Sequence, residues 1–533
     1  MKNRKNAVIP KGKFIYKMTC YELLQQHIDR HGKWYFYGRA VGVSRILREI
    51  EGLAAAFTDL GLKKGDVVSL YLPTCPQSIA AFYACSKLGI VASFIHPRMS
   101  VATVADIVAK TGSKAVFFFD ALNTSDEPFA DMAPIALRCS VADYEGVLAP
   151  LFKWYSRCKC ERKKGVYAYS ALAEKRTSTQ IVGADEDVVC YMHSGGTSGE
   201  PKVVALSNRA MNYVAETIGK LHRQEHACGK YALVTLPVFH AYGLCASVHA
   251  PLLLGYSLAL VPKFGAKPVR RYLRRLNVGL WLVVPGMLRK LISQNKFACK
   301  GLAHIRDLWC GGDYIEQSLV DEVNNILRDY GSSATLLRGY GLTETCGAVV
   351  VSSGKNNRKL SCGKPIDGTR VEVVDDLGHV QPANTVGELV IYSPALMTRY
   401  LDGGEAWTGD GGVKTGDVGY IDDDGYVYVI DRKKRSVKIA SINVFPAEVE
   451  RCICTLPYVT QCCVVGYKQQ NKQFLKAFVT LDKKVPVDEN KLVDEVKQVC
   501  FTQLSPYAVP ERVEVIDKMP MTAIGKVDYR SLQ

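Results

Sequence analysis

Ser194-Gly195-Gly196-Thr197-Ser198-Gly199-Glu200-Pro201-Lys202 crowds small residues and hydroxyls into one turn that ends in Pro-Lys. Glycines let backbone N–H groups approach an anion closely, the Ser and Thr hydroxyls add donors, and the lysine brings a positive charge. The spacing is not that of a Walker A loop, where lysine follows the last glycine directly and precedes Ser or Thr. By composition alone a plain solvated loop is an equal reading. The flanks shift the balance, because Val188 to His193 reads as a short apolar strand and Asn208 to Gly219 as a helix. A glycine-rich loop between strand and helix is where α/β proteins commonly bind phosphate.

The same alternation extends outward. Val67 to Leu72, Ala115 to Phe119, Tyr231 to Leu236 and Leu280 to Val284 read as strands, separated by stripes such as Val269, Tyr272, Leu273, Leu276 and Leu319, Val320, Val323, Ile326, Leu327. Spacings of three and four mark helices that lay one apolar face on a sheet, so α/β layers with a largely parallel sheet are expected from about residue 46 to 340. Near Cys362 the pattern changes: Val371 to Val374, Gly387 to Tyr392 and Gly419 to Ile430 are strand-like, with turn signals at Leu377-Gly378 and Asp424-Gly425, a smaller turn-rich β unit. After Asp431-Arg432-Lys433-Lys434-Arg435 a compact α+β module begins, with helices from Pro446 and over Asn490 to Gln503 and strands at Gln461 to Val465, Lys476 to Leu481 and Arg512 to Ile516. The basic run is a solvated linker or a hinge. Lys153 to Lys164 reads as a surface insertion without an assignable role.

Bulk properties bound the function. With 533 residues the chain exceeds one core, and 48% apolar and 23% charged residues are ordinary for a globular protein. A net charge of +16 favours anionic partners: nucleotides, coenzyme phosphates, an acidic carrier protein or an anionic membrane surface. Nucleic acid is not expected, since no helix-turn-helix, zinc-finger or RNA-sheet signature accompanies the charge. Eighteen scattered cysteines and an N-terminus without an apolar signal core suggest free thiols and a cytoplasmic location. The stretch between Lys230 and Lys263 carries no charge, but Pro237, His240, Pro251, Gly255 and Pro262 break it, so no transmembrane segment is expected; peripheral membrane contact stays open.

Several turns offer chemical groups. Phe239-His240-Ala-Tyr242-Gly243, Cys310-Gly311-Gly312-Asp313 and Tyr340-Gly341-Leu342-Thr343-Glu344 each follow a strand, and parallel strands gather their C-terminal ends at one sheet edge. Asp417 can accept two hydroxyl hydrogen bonds, as a ribose offers, and Arg432 brings a fork of donors. Lys526 stands behind Gly525 near the C-terminus. Taken singly, His240 reads as a satisfied core histidine, Glu344 as a surface acid, Asp417 as a turn former and Lys526 as a solvated lysine. Their order and spacing together defeat that reading.

At these residues, from about 188 to 530, the chain resembles the adenylate-forming superfamily of acyl- and aryl-CoA synthetases, nonribosomal-peptide adenylation domains and beetle luciferases. Arg338-Gly339-Tyr340-Gly341-Leu342-Thr343-Glu344 looks most like bacterial medium- and long-chain fatty-acid CoA ligases. The resemblance implies a large N-terminal domain (1–432) of layered α/β subdomains plus a small distorted β-barrel, then a smaller, mobile α+β C-terminal domain (433–533). It also implies a two-step reaction: a carboxylate and MgATP give an acyl-adenylate and pyrophosphate, and a thiol, usually coenzyme A, displaces AMP. By position, Ser194, Gly195, Gly196, Thr197, Ser198, Gly199 and Lys202 would hold the β- and γ-phosphates, Thr343 the α-phosphate, and Glu344 the magnesium. Gly311, Gly312, Asp313 and Tyr340 would border the adenine, with Asp417 and Arg432 on the ribose. Lys526 would sit between the substrate carboxylate and the α-phosphate, where negative charge accumulates. Lys434 would be the hinge and Lys438 part of the second conformation. His240 and Tyr242, with Gly312, would line the passage where acyl group and thiol meet. Gly341 stands where acetate-restricted relatives carry tryptophan, so a longer acyl tail is expected.

The chain departs from the family pattern in three places. Val203 follows Lys202 where glycine is usual, a tolerable strand start. Ser441 replaces the glycine of the Lys-x-x-Gly pattern after the hinge, which puts the thioester half-reaction in question. Arg435, where an acid is common, adds positive charge to the hinge and favours a phosphate-rich acceptor. The leading expectation is a carboxylic acid to CoA ligase for a medium- or long-chain fatty acid. The alternatives are a ligase loading an acyl carrier protein and a binding protein without turnover.

Overall fold

Alternating strand and helix patterns build two sheets in this chain, not one. The computed structural model describes residues 17–122, 125–144, 166–174, 179–194, 202–221, 227, 229–354, 356–404, 406–440, 442–469, 472–482, 485, 488–521 and 527–533. Gly195, Gly196, Thr197, Ser198 and Gly199, the 153–164 insertion, Ser441 and Lys526 lie outside the described residues.

The first sheet has eight strands in the order Arg399–Tyr400, Val203–Ser207, Val188–His193, Val91–Phe94, Val67–Tyr71, Ala115–Phe119, Ile135–Cys139, Val166–Ala168. From Val188–His193 onward the strands are parallel, while Val203–Ser207 and Arg399–Tyr400 join antiparallel. The second has nine, in the order Lys364–Pro365, Val350–Val351, Leu336–Tyr340, Asp307–Cys310, Val278–Val283, Tyr231–Val234, Ser257–Leu260, Lys33–Phe36, Arg39–Gly42. Its middle, from Leu336–Tyr340 to Lys33–Phe36, is parallel.

Every residue of Val67–Tyr71, Ala115–Phe119 and Val278–Val283 is buried, which is why these strands read as continuous apolar runs without alternation. Helices supply the cover. Asn208–Leu221 buries Ala210, Met211, Val214, Ala215 and Ile218 at spacings of one, three and four, and Ala266–Arg275 buries Val269, Tyr272 and Leu273 while Arg271, Arg274 and Arg275 are exposed. Trp281, Leu288, Leu291, Leu308, Leu319, Val323 and Leu336 belong to one continuous core under the second sheet.

Two compact units result: the chain up to Arg370 with Tyr392–Glu405, and Val371–Ile391 with Ala406–Gln533. The second unit holds a four-stranded sheet in the order Arg370–Val374, Gly387–Tyr392, Val413–Ile421, Val427–Arg432. The strand-like stretch Gly419 to Ile430 is divided between two antiparallel strands at its Asp424-Gly425 turn signal, where Gly425 N donates to Asp422 O at 2.9 Å. Beyond it lie a hairpin of Val437–Ile439 with Ile442–Val444, a sheet of Val459–Gln469, Lys472–Leu481 and Arg512–Val515, and helices Pro446–Ile453 and Glu489–Gln503. Val449, Ile453, Val464, Leu475, Val479, Leu492 and Val496 form their shared core. The described cysteines are free thiols. Among the described residues no helix is long and apolar enough to cross a membrane.

Candidate functional site

In the second sheet Tyr231–Val234, Val278–Val283, Asp307–Cys310 and Leu336–Tyr340 are parallel neighbours, so their C-terminal ends lie side by side. The turns after them carry His240 and Tyr242, Gly311 to Asp313, and Tyr340 to Glu344, and they pack backbone to backbone. A Cβ on Gly311 would stand 2.8 Å from Gly339 O and 3.6 Å from the Tyr242 hydroxyl; one on Gly347 would stand 2.9 Å from Tyr242 N. Glycine is required at both contacts. Gly312 also takes a positive φ, of 80°.

Gly341 reads differently once its neighbours are known. A Cβ there would lie 2.4 Å from Gly347 O and 2.8 Å from Ala348 Cα. The missing side chain makes room for backbone, so it does not by itself open space for an acyl tail.

After the strand Tyr231–Val234 the chain turns into Tyr242–His249, a π-helix, a form found mostly at functional sites that the sequence pattern did not reveal. Gly243 makes this turn possible, since a Cβ would fall 1.9 Å from Pro237 O. Burial pushes the Tyr242 hydroxyl well above its usual pKa. The His240 ring stacks obliquely on Phe239 at 4.9 Å, and Phe239 meets His96 at 4.6 Å. His96 follows the first-sheet strand Val91–Phe94, and Thr74 Oγ1, beyond Val67–Tyr71, accepts from Val238 N at 3.2 Å. The C-terminal ends of both sheets therefore face one another. Burial, then Arg98, lowers the His96 pKa, which favours a neutral ring.

The glycine-rich turn leaves the strand Val188–His193 at Ser194 and returns at Lys202, where Ser194 N donates to Lys202 O at 2.9 Å. Val203 pairs with His193 and is buried, which fits a β-branched residue at a strand start. The Lys202 ammonium lies 4.3 Å from the ring centroid of Tyr400, whose hydroxyl donates to Glu344 Oε1 at 2.8 Å. Met397 N donates to Glu344 O at 2.8 Å. Thr343 and Glu344 belong to the short 3-10 turn Thr343–Thr345 and are half-buried. The first unit thus brings Lys202, Thr343, Glu344 and the strand-end turns together. Burial lowers the His193 pKa to about 4, and its Nε2 has no hydrogen-bond partner among the described residues.

In the second unit Asp417 and Arg432 are register partners. Arg432 Nε lies 2.8 Å from Asp417 Oδ1 and its Nη1 donates to Thr415 O at 3.2 Å. Asp417 is 3% exposed, with its backbone N–H on Thr415 Oγ1. Asp431 Oδ2 accepts from Ala447 N at 2.8 Å in the first turn of Pro446–Ile453, a helix-terminus contact that favours a carboxylate. Lys434 and Lys438 are exposed. The charge expected of Arg435 is spent internally. Its guanidinium meets Glu450 at 2.5 Å and Asp431 at 3.6 Å and lies 5.0 Å from the Tyr529 ring, so it does not present positive charge to an acceptor. Where the family pattern has glycine one position later, Ala440 carries the left-handed backbone, at φ 46°.

Sequence reasoning missed Tyr400, His96 and the π-helix. Tyr400 lies on a two-residue strand with no periodicity to read, and its contacts depend on pairing with a strand some two hundred positions earlier.

The AMP-binding enzyme family matches residues 30–401, and the AMP-binding enzyme C-terminal domain matches 448–526. The chain belongs to this family and to the adenylate-forming superfamily; it is an adenylate-forming ligase. It is 27% identical to an indoleacetate–CoA ligase of Aromatoleum aromaticum, over 96% of this chain and 98% of the relative. It is 26% identical to the fatty acid–[acyl-carrier-protein] ligase ScoC of Streptomyces coeruleorubidus, over 93% and 92%. ATP-bound MatB from Rhodopseudomonas palustris shares the fold at a TM-score of 0.82 and 21% identity, over 97% of this chain and 98% of that one.

Proposed function

We propose that this protein is an ATP-dependent acid–CoA ligase acting on a medium- or long-chain fatty acid. A substrate carboxylate oxygen attacks the α-phosphorus of ATP, and the bond to pyrophosphate breaks. The coenzyme A sulfur then attacks the acyl carbonyl, AMP leaves with the carboxylate-derived oxygen, and the thiol proton passes to solvent.

The observation that supports this best is the pairing, through Tyr400, of Lys202 beside the glycine-rich turn with Glu344 at the strand ends. Ser194 to Lys202 would hold the β- and γ-phosphates and Thr343 the α-phosphate; Gly311, Gly312, Asp313 and Tyr340 would border the adenine. Asp417 and Arg432 would take the ribose, and a buried carboxylate beside a guanidinium suits that role. Glu344 would hold magnesium. Magnesium usually takes one or two protein carboxylates plus substrate phosphates, which suits a carboxylate with one oxygen already fixed by a hydroxyl. When bound, the metal neutralises phosphate charge. Lys526 would stabilise the charge that develops as carboxylate and α-phosphate meet. A rotation at Lys434, moving 433–533 against 1–432, would withdraw Lys526 and bring in Lys438, while His240 and Tyr242 line the thiol passage.

A second acceptor, an acyl carrier protein, is supported by the relative named as a fatty acid–[acyl-carrier-protein] ligase, while the +16 charge suits either acidic acceptor. The test is pyrophosphate release across an acyl-chain series and aryl acids, with coenzyme A, with a phosphopantetheinylated carrier protein, or with neither. Release with C8 to C18 acids and thioester formed on coenzyme A is the expected result. Thioester on the carrier alone selects the second reading, and no release with any acid overturns both.

A further inference from the structure

Lys202, which is exposed, and Glu344, which is half-buried, bring opposite charges to the same aromatic side chain. An ion pair between the two would leave neither available to a ligand. Among the described residues each meets Tyr400 instead of the other.

We propose that Tyr400 is a positioning residue that keeps Lys202 and Glu344 apart and aimed for a magnesium–nucleotide complex. The inference rests on the ligase reading above only in naming that ligand. The two ends of the side chain do different work. The ring face attracts the ammonium without neutralising it, since a cation–π contact transfers no proton and supplies no counter-charge. The hydroxyl donates to Oε1, which fixes the rotamer of the carboxylate and turns Oε2 toward a cation.

The backbone around Tyr400 is tied on both sides. Tyr400 pairs with Val204 and Arg399 with Ala205; Thr398 N donates to Ala205 O at 2.8 Å and Leu401 N to Val203 O at 2.9 Å. Asp402 accepts from Val203 N at 3.3 Å and pairs with Lys110 at 2.8 Å. The ring is thus carried on a short strand paired with the one that begins just after Lys202. Gly404 completes the arrangement: at φ 113°, a Cβ would stand 3.2 Å from the Lys202 ammonium, so a side chain there would displace it.

The test is equilibrium binding of ATP to the full chain with and without Mg2+. It compares wild type, Tyr400→Phe, Tyr400→Leu, Glu344→Gln and the Tyr400→Phe/Glu344→Gln double variant. Tyr400→Phe should lose about tenfold of the affinity gained from Mg2+ while metal-free ATP affinity stays within about twofold, the size expected for a hydrogen bond to a charged group. Tyr400→Leu should also weaken metal-free binding, by about two- to fivefold. In the Glu344→Gln background Tyr400→Phe should add nothing. A tyrosine serving only as packing would leave the Mg2+ linkage intact, and that result, or full additivity in the double variant, overturns the proposal. Tyr400→Phe keeps the ring, so it carries the test if Tyr400→Leu does not fold. Failure of the ligase reading would appear separately, as ATP binding with Mg2+ linkage but no acid-dependent pyrophosphate release. Absence of ATP binding by the wild type overturns both.

Discussion

The edge around Lys202 and Glu344 in the first unit and the basic run 432–435 in the second both carry charge, yet they dispose of it in opposite ways. At Lys202 and Glu344 a neutral aromatic side chain meets each charge, so both stay available. In the basic run, Arg435 is matched by Glu450 and Asp431, and Lys433 by Glu388 at 2.9 Å and Asp376 at 3.0 Å. Glu450 also accepts from Val464 N, so the pair is bonded into the module's own backbone. A basic side chain in the sequence therefore keeps its charge without a described acidic partner in one place and is cross-linked internally in the other. What separates the two is whether acids of the same unit fold onto the cations.

The largest contrast should come from Lys526→Ala. On the ligase account it reduces acyl-adenylate formation by at least about 10²–10³, the scale of losing one transition-state charge contact. Thioester formation from supplied acyl-AMP should be spared, as single-turnover assays of the two half-reactions would show. Equal loss in both would break the assignment of a mobile lysine.

Next comes the basic run. Arg435→Met leaves the Glu450 carboxylate and Asp431 without their partner and should cost about 3–5 kcal/mol, read by urea denaturation. Arg435→Met with Glu450→Gln should recover much of the loss. At Lys202 no such stability cost is expected, and a comparable loss from Lys202→Met would erase the distinction drawn here.

Acid titration gives a smaller effect, in the first unit. His193 has its folded pKa lowered by burial from 6.5 to about 4, so the folded form binds fewer protons than the unfolded one between those values. Its contribution is present above pH 6.5 and is lost as pH falls toward 4. His193→Gln should flatten that part of the urea midpoint against pH; an unchanged slope would contradict the burial argument.

The smallest effect is expected at Ala440, where an L residue holds φ 46° just past the basic run. Ala440→Gly should stabilise the protein by about 1 kcal/mol, since glycine carries no Cβ penalty there. Destabilisation in the same urea assay would show that a side-chain contact at Ala440 outweighs the strain.

Much of this could be read before any coordinates. The helices from Asn208 and Pro446 were legible because one-sided burial imposes a period on local sequence, and the strands at Val188–His193, Ala115–Phe119 and Val278–Val283 because cover on both faces makes short continuous apolar runs. His240, Gly311 and Glu344 were legible as a group because parallel strands bring the turns after them to one edge. That the parallel strands form two sheets was not, since which strand pairs with which is decided between distant segments. Tyr400 was hidden for the same reason, and Arg435 was misread because its partners Asp431 and Glu450 are brought to it by a helix and a strand end. Gly341 shows the limit of reading a small residue as empty space: its room is filled by the backbone of Gly347 and Ala348.

The most direct test follows the oxygen of the substrate. With a fatty acid labelled with oxygen-18 in its carboxyl group, turnover with ATP and coenzyme A should place one labelled oxygen in AMP, because the carboxylate attacks the α-phosphorus and the thiol later breaks the acyl carbon–oxygen bond. Unlabelled AMP, or label recovered in inorganic phosphate alongside ADP, would contradict the account.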